Sequence, residues 1–265
     1  MERLSNLFFE LSHEDRLTIL NMLSDNPLKL TQIASKMGSS SQEAYRHISR
    51  LVDSGLVSKN SDGDYMITPY GSQVMKLVPC YDFLTKHAEY FVTRDLTLIP
   101  EEFNLRIGEL SESEFVNDVM ITLFDFEQMI GDSEEYIYTM MNQMVMNLYK
   151  PLQEAADRGV KIRVLRPKGW TLSEDISKRI NSDLFRKIYK HIQEGRIQQR
   201  EPDTVPVFLA FNEKEVSALS FAKLDGELDY LAFKSKDSRA HKWCADLFNA
   251  IWNHSPPGEV RVKIG

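Results

Sequence analysis

The stretch LTQIASKMGSSSQEAYRHISRLVDSGLVSKNSDGDYMIT, residues 30–68, decides the fold of the first third of this 265-residue chain. In its first part, apolar side chains recur every three or four positions, with Thr31 as the predicted cap and Gly38 as the terminator of a short helix. Three serines at residues 39–41 precede a second helical pattern, which ends at Gly55. The stretch therefore predicts two helices joined by a short turn of small residues.

The sequence on either side of these two helices completes a known element order. Downstream, apolar and polar residues alternate on both sides of Asn-Ser-Asp-Gly at residues 60–63, which is typical of a β-hairpin. Upstream, apolar residues from Leu4 to Leu23 keep helical spacing with a break at Ser12, the predicted cap, and indicate one long or two short helices. Helix, helix, turn, helix and hairpin is the order of a winged helix-turn-helix domain, which we assign to residues 1–75.

The composition is that of a folded protein with two domains. Hydrophobic residues make up 42% and charged residues 27% of the chain, and the length suits two cores. We expect a cytoplasmic protein without membrane contact, because the amino-terminal residues lack a signal peptide and no apolar run approaches ~20 residues. With one cysteine in each half, Cys80 and Cys244, we expect buried reduced thiols rather than a disulfide framework.

The charge distribution admits a nucleic-acid partner despite a formal net charge of −7. From Lys36 to Lys59, the charged residues carry a local excess of two positive charges. A local basic face is sufficient for DNA binding if a dimer presents it twice.

Polar residues of the second predicted helix suit direct reading of base edges. Gln42 and Arg46 lie four residues apart and share an exposed face, from which Gln pairs with adenine and Arg with guanine. Other candidates suit phosphate oxygens, namely Ser39, Ser40, Ser41, Tyr45 and Arg50 on the turn and helix, and Lys59, Asn60 and Ser61 at the hairpin tip. The alternative is that the arginines only solvate the helix, and two aspartates at the hairpin tip oppose tight phosphate contact there.

The first domain resembles a known family. HEDRLTILNML at residues 13–23, together with the stretch that runs from LTQIA to ITPYG, resembles the winged-helix domains of ArsR-type and related archaeal regulators. This resemblance implies that the helix matching Ser41–Ser54 enters the major groove of double-stranded DNA. It also implies that the hairpin matching Val57–Ile67 lies along the backbone or the minor groove.

Residues 76–104 are predicted to form a linker or dimerisation helix. Apolar residues continue at helical spacing from Tyr70 to Arg94, interrupted by Pro79, and residues 95–109 mark a domain boundary. In many winged-helix regulators a helix at this place pairs across a two-fold axis, so we expect a homodimer. The alternative is that the apolar stripe packs on its own domain or on the next one.

Residues 105–254 are predicted to form an α/β domain with a mixed sheet, followed by a tail at 255–265. Strand patterns at 135–141 and 160–165 flank a helix at 143–157, which is a β-α-β unit. The remaining predicted elements are helices at 115–130 and 182–194, strands at 196–200, 207–211, 217–222 and 228–233, and a final helix at 237–253.

Two stretches of this second domain also carry a resemblance. KPLQEAADRGVKIRVL and ALSFAKLDGELDYLAFKSKDSRAHKWCADLFNAIWNHS resemble the sensor domain of archaeal regulators of the methanogenesis-regulator type, and more distantly phospholipase-D-like sensor domains. The resemblance implies a sensor of a small effector. Ligands of α/β sheets bind beyond the carboxyl ends of strands, where Asn142, Arg166, Lys168, Trp170 and Asp225 are predicted. The two cations would favour an anion, and the alternative is that all five are ordinary loop residues.

No pattern of catalytic residues accompanies these domains. The His-x-Lys-x4-Asp arrangement of phospholipase D enzymes is missing, since His241 and Lys242 are adjacent, and no Gly-rich phosphate loop occurs. The six histidines are scattered, so that only folding could assemble a metal site. We expect no enzyme, cofactor or metal. The rival functions are an enzyme of unrecognised type in the second domain and an architectural protein that binds DNA with little sequence preference.

Overall fold

The computed structural model describes residues 1–143, 146–169 and 182–258. The chain divides into two compact units, Met1–Tyr81 and Asp82–Gly265. Among the described residues, no helix has the length and apolar character needed to cross a membrane.

The first unit is a bundle of helices closed by a two-stranded hairpin. Its elements are α1 (Glu2–Leu11), α2 (Glu14–Asp25), α3 (Leu30–Met37), α4 (Ser41–Asp53), β1 (Val57–Lys59), β2 (Tyr65–Ile67) and α5 (Pro69–Met75). β1 and β2 pair antiparallel, with Val57 opposite Ile67. Ile19, Ile33 and Ile48 are completely buried in the core that the helices share. The predicted winged helix-turn-helix order is confirmed.

Two predicted helix caps are wrong. Ser12 ends α1, and the imidazole of His13 caps α2 by accepting a hydrogen bond from the Asp15 N–H at 3.3 Å. Thr31 lies inside α3, where the Gln32 side chain accepts a hydrogen bond from the Lys29 N–H at 2.8 Å. A cap depends on the backbone conformation at one residue, and the sequence pattern does not resolve that position.

Three short helices replace the predicted long one after the hairpin. They are α5, α6 (Val78–Lys86) and α7 (Ala88–Phe91). In the second unit, the ring of Phe83 lies 5.1 Å from that of Phe233, and the Tyr90 hydroxyl accepts a hydrogen bond from the Phe221 N–H at 2.9 Å. Phe83 and Tyr90 of the predicted apolar stripe therefore pack on the sheet of the second unit. This agrees with the alternative prediction that the stripe packs within the chain.

The second unit is built on a seven-stranded mixed sheet within the described residues. Its strands are β3 (Glu114–Val116), β4 (Tyr136–Met140), β5 (Lys161–Leu165), β6 (Ile197–Arg200), β7 (Val207–Asn212), β8 (Val216–Phe221) and β9 (Ala232–Ser235), in the order β3-β9-β8-β7-β4-β5-β6. β4, β5 and β6 are parallel and the other pairs are antiparallel. The predicted fold class, a helix-turn-helix domain followed by a mixed-sheet α/β domain, is confirmed.

Helices pack against this sheet and fill its core. They are α8 (Glu101–Leu105), α9 (Val119–Asp132), α10 (Tyr149–Asp157), α11 (Ser182–Gln193) and α12 (Ser238–His254). α10 connects the parallel strands β4 and β5, as the predicted β-α-β unit requires. Trp243, Cys244 and Phe248 of α12 are completely buried, and burial raises the pKa of the Cys244 thiol. Cys80 is only half-buried, which differs from the prediction.

The last predicted strand is displaced along the chain. We predicted a strand at residues 228–233, whereas β9 spans Ala232–Ser235. Tyr230 has a φ of 61°, and a left-handed residue ends extended pairing. Asp229 beside it forms an ion pair with the buried Arg94 at 2.8 Å. Leu228 and Tyr230 are therefore buried but lie before the strand.

Candidate nucleic-acid interface

α4 presents one face to the core and the opposite face to solvent. Ala44, Ile48 and Leu51 recur every three or four residues and are completely buried. This packing fixes the orientation of the helix. Gln42 and Arg46, on the other side, are exposed. Their long polar side chains therefore project from a helix whose position the core determines.

Neither Gln42 nor Arg46 is occupied by contacts within the described part of the chain. The structure shows no hydrogen bond or ion pair to either side chain there, and both are exposed. A guanidinium offers five donors in a planar fork, and an amide offers both a donor and an acceptor. These two side chains are thus available to an external partner that presents a row of hydrogen-bond donors and acceptors.

The serines before α4 have three different environments. The Ser40 hydroxyl caps the helix by accepting a hydrogen bond from the Glu43 N–H at 3.2 Å. Ser41 is exposed. The Ser39 hydroxyl is buried and makes no hydrogen bond within the described residues. Ser40 and Ser41 therefore lie at the surface. The Ser39 hydroxyl does not, although it was predicted to contact a phosphate.

Loss of the Ser40 cap is expected to destabilise the first unit. In Ser40→Ala the Glu43 N–H loses its acceptor, which lowers the free energy of unfolding by about 1 kcal/mol. Ser41→Ala is the matched control, since the exposed Ser41 hydroxyl makes no hydrogen bond within the described residues, and should change the same quantity by less than about 0.5 kcal/mol. Urea denaturation followed by far-UV circular dichroism measures both. Equal losses in the two variants would contradict the capping role.

The hairpin tip is held by its own asparagine. Asn60 Oδ1 accepts hydrogen bonds from the N–H groups of Asp62 and Asp64, at 3.0 and 2.8 Å, so that its side-chain carbonyl shapes the turn. Ser61 is exposed. The Lys59 ammonium lies 5.3 Å from the ring of Tyr65 and is exposed at the end of β1. Lys59 and Ser61 are thus the predicted tip residues whose polar groups remain available.

Arg50 is engaged in an ion cluster that the sequence did not reveal. Glu10 of α1 accepts from Arg50 at 2.6 and 3.1 Å, and its carboxylate also lies 3.1 Å from the buried Arg16. The Arg50 hydrogen bond lowers the pKa of Glu10, burial opposes this shift, and the charge of Arg16 adds to it. The cluster joins α1, α2 and α4. Arg50 thus has a structural partner, and its predicted phosphate contact stays a prediction.

Tyr45, a predicted phosphate contact, is exposed, with 53% of the residue accessible to solvent. A large exposed aromatic ring with a hydroxyl is suited to contact with a sugar-phosphate backbone.

The predicted effector residues that the structure describes follow strands at one edge of the sheet. Asn142 and Arg166 come after the neighbouring parallel strands β4 and β5, and both are half-buried. Lys168 is exposed, and its N–H donates to the Pro202 carbonyl at 2.8 Å. Asp225 follows β8 at the same edge, with β7 between β8 and β4. Trp170 lies outside the described residues.

A cleft of about 440 Å³ lies elsewhere on the second unit. We call it the acidic cleft, because its lining holds more carboxylates than ammonium groups; it is lined by Glu112, Glu114, Asp125, Gln128, Glu215, Val216, Ser217, Lys234, Ser235 and Lys236. The ammonium of Lys234 lies 3.0 Å from Asp125, and that of Lys236 lies 3.4 Å from Glu215. The Ser217 hydroxyl is buried and makes no hydrogen bond within the described residues. None of the predicted effector residues that the structure describes lines this cleft.

Comparison with known proteins identifies the domain that holds α4. A family of helix-turn-helix domains matches residues 11–59, which include α2, α3, α4 and β1. No curated protein sequence matches the chain significantly.

Solved structures with a similar arrangement are distant. The archaeal chromatin protein TrmBL2 is 16% identical, with a TM-score of 0.44 over 88% of each chain. Nuc, a phospholipase D family member from Salmonella typhimurium, is 12% identical, with a TM-score of 0.37 over 51% of this chain and 88% of its own. The dimethyltransferase RosA from Streptomyces davawensis is also 12% identical, with a TM-score of 0.25 over 74% of this chain and 62% of its own. The assignment of the first domain comes from the family match, which shows that residues 11–59 of this chain form a helix-turn-helix domain.

Proposed function

We propose that this chain is a cytoplasmic transcription regulator of the ArsR-like type that binds double-stranded DNA sequence-specifically through α4. The proposal rests on Gln42 and Arg46, which are exposed and make no hydrogen bond or ion pair within the described residues. The opposite face of their helix is buried in the core. An α-helix fits the major groove, where glutamine recognises adenine and arginine recognises guanine. The helix-turn-helix match at residues 11–59 supports this assignment.

Residues around α4 would position the protein on the phosphates. Ser41 and Tyr45 are exposed beside the base-reading pair, and Lys59 extends from the hairpin. Such contacts set the register of the helix on the duplex without reading sequence. Asp62 and Asp64 at the tip of the hairpin limit its approach, since like charges repel. Specificity in this proposal therefore comes from α4 and not from the hairpin.

The proposal includes a homodimer formed through the first unit. Four large apolar residues have 45–56% of their surface exposed, namely Leu4 and Phe8 of α1, Leu77 just before α6 and Tyr81 within α6. The rings of Phe8 and Tyr81 meet edge to face at 5.9 Å, so the two segments form one surface. Exposed apolar patches mark interaction sites, and a second copy would cover this one while presenting two α4 helices.

The second unit is proposed to bind a small effector that alters the relation of the two α4 helices. The acidic cleft supports this assignment, because a volume of about 440 Å³ suits a metabolite-sized ligand. The Ser217 hydroxyl in its wall has an unmet hydrogen bond within the described residues. We propose no chemical reaction for this unit.

Selection of duplexes from a random-sequence pool, followed by fluorescence anisotropy across a salt series, tests the function. Wild type should enrich a motif repeated with two-fold symmetry, bind it at two chains per duplex, and prefer it to a scrambled duplex by at least about 1000-fold. Lys59→Ala should weaken both duplexes equally and reduce the salt slope by about 2, because the two bound chains together neutralise two phosphates fewer.

Two results of this experiment would replace the proposal. Equal affinity for selected and scrambled duplexes, with equal salt slopes, would indicate an architectural protein. Failure to bind any duplex at micromolar concentration in low salt would exclude a DNA-binding function and direct attention to an enzyme in the second unit.

A further inference from the structure

Folding brings a histidine of α4 next to a histidine and an aspartate at the start of α2. His13 and Asp15 stand at the start of α2, and His47 lies on the inner face of α4. One potential ligand atom from each residue lies within 4.8 Å of the other two. The two imidazole rings are 4.5 Å apart between their centroids. We call these three residues the α2–α4 cluster.

The separations within the cluster do not correspond to hydrogen bonds. His47 Nε2 lies 3.4 Å from Asp15 Oδ2, and His13 Nδ1 lies 3.6 Å from the same oxygen. A charge-assisted hydrogen bond between such groups would be ~2.7–2.9 Å long. Within the described residues the His47 ring makes no hydrogen bond at all, although only 11% of its side chain is exposed. One potential ligand atom from each residue therefore faces the other two at separations longer than a strong hydrogen bond.

The same separations match the edges of a coordination tetrahedron. Zinc binds imidazole nitrogen and carboxylate oxygen at ~2.0–2.2 Å, which puts two ligand atoms of a tetrahedral site about 3.4 Å apart. The separations of 3.4 and 3.6 Å from Asp15 Oδ2 lie close to that edge, and the third, between the two imidazole nitrogens, is within 4.8 Å. The His13 and Asp15 side chains are 42% and 46% exposed, so an ion has a route from solvent and water has room for the fourth position.

We propose that the α2–α4 cluster is a binding site for one divalent transition-metal ion of the zinc type, ligated by His13, Asp15 and His47. Two imidazoles and a carboxylate are ligands that zinc accepts, and three protein ligands leave one position open. Metal binding at His13 Nδ1 replaces the long cap hydrogen bond of 3.3 Å from the Asp15 N–H. Glu43, one turn before His47 on α4, adds negative potential at the site, whereas Arg16 opposes it.

The position of the site places the charge of the ion next to α4. His47 follows Arg46 directly, so a ligand of the ion is adjacent in the chain to the side chain proposed to read bases. This regulatory part rests on the proposed function: zinc then raises the affinity for the selected duplex, because the bound ion adds positive charge beside the helix that approaches the phosphates.

Zinc titration of the full chain, stripped of metal with a chelator, tests the site. We expect one Zn²⁺ per chain by calorimetry and the visible absorption of tetrahedral Co²⁺ on substitution. His13→Asn removes the imidazole but keeps a good cap residue, and Asp15→Asn removes the carboxylate at a half-exposed position. Each should weaken zinc binding by at least about 100-fold, since loss of even an outer-sphere partner costs ~10–100-fold.

His254→Gln is the control, because His254 is exposed at the end of α12 in the second unit. Its zinc affinity should equal that of wild type. Circular dichroism establishes that each variant is folded before titration. The site is refuted if wild type binds no zinc at micromolar concentration, or if His13→Asn and Asp15→Asn bind it as tightly as wild type.

Anisotropy with and without zinc separates the site from its effect on DNA. The affinity of wild type for the selected duplex should rise at least about fivefold with zinc, and that of His13→Asn should not change. Zinc binding without any change in duplex affinity would overturn the regulatory part alone. A chain that binds zinc but no duplex would refute the proposed function and leave the metal site standing.

Discussion

Glu10→Ala is expected to lower the free energy of unfolding of the first unit by about 3 kcal/mol. The carboxylate is the ionic partner of Arg16, of whose side chain only 5% is exposed, and loss of one partner of a buried pair costs ~3–5 kcal/mol. The lower end of this range applies because the Arg16 guanidinium retains hydrogen bonds to the Phe9 and Glu10 carbonyls, at 2.6 and 2.7 Å.

The chain offers an internal control for this measurement. All three tryptophans, at positions 170, 243 and 252, come after Tyr81, so tryptophan fluorescence reports on the second unit. In urea denaturation of Glu10→Ala, the first unit should unfold at a lower urea concentration, which far-UV circular dichroism detects. The midpoint of the fluorescence transition should not change. Glu2→Ala, at an exposed acid of the same helix, should move neither. If fluorescence and dichroism shift together, the cluster does not act locally.

The contribution of Glu10 should also depend on pH. The pKa of Glu10 is lowered in the folded protein, first by the Arg50 hydrogen bond, so the folded state binds this proton less readily than the unfolded chain does. Its stabilisation is therefore complete above the unfolded value, about 4.3, and is lost as the pH falls through the folded pKa. The difference in unfolding free energy between wild type and Glu10→Gln should be constant near pH 7 and shrink below about pH 4.

The sequence predicted the elements that local periodicity determines. The spacing of Ala44, Ile48 and Leu51 placed α4 and its exposed face correctly, and the alternation around residues 60–63 placed the hairpin. The last strand was misplaced because Tyr230 adopts a left-handed conformation, which no apolar pattern encodes. Helix caps were misplaced by one or two residues for a related reason, since a cap depends on the dihedral angles of a single residue.

Contacts between distant residues could not be predicted in the same way. Glu10 is buried, and the apolar spacing of α1 did not indicate this. Its pairing with Arg50 spans 40 positions and depends on how α1 packs against α4. His13 and His47 are brought together by the packing of α2 on α4, so that histidines scattered in the sequence form a cluster in the structure. The exposed residues Gln42 and Arg46 were found from sequence because exposure on a helix is a local property.

Arg46→Ala is expected to abolish most of the discrimination between the selected and the scrambled duplex. A bidentate arginine contact to guanine contributes ~1–3 kcal/mol of discrimination and the dimer makes two such contacts, so the affinity for the selected duplex should fall about 30-fold or more. The affinity for the scrambled duplex should change little, because a side chain that reads bases adds little to non-specific binding. The fold should be unaffected, since the exposed Arg46 makes no ion pair or hydrogen bond within the described residues.

Arg46→Lys distinguishes base reading from charge. Lysine keeps the positive charge but lacks the planar fork that matches two acceptors of guanine. If Arg46 reads a base, Arg46→Lys should lose discrimination nearly as completely as Arg46→Ala, with an unchanged salt slope on both duplexes. If Arg46 contacts only phosphates, Arg46→Lys should bind like wild type, and Arg46→Ala should weaken both duplexes equally with a slope reduced by about 2, one for each chain. The second pattern would assign Arg46 to the backbone and leave Gln42 as the base-reading candidate on α4.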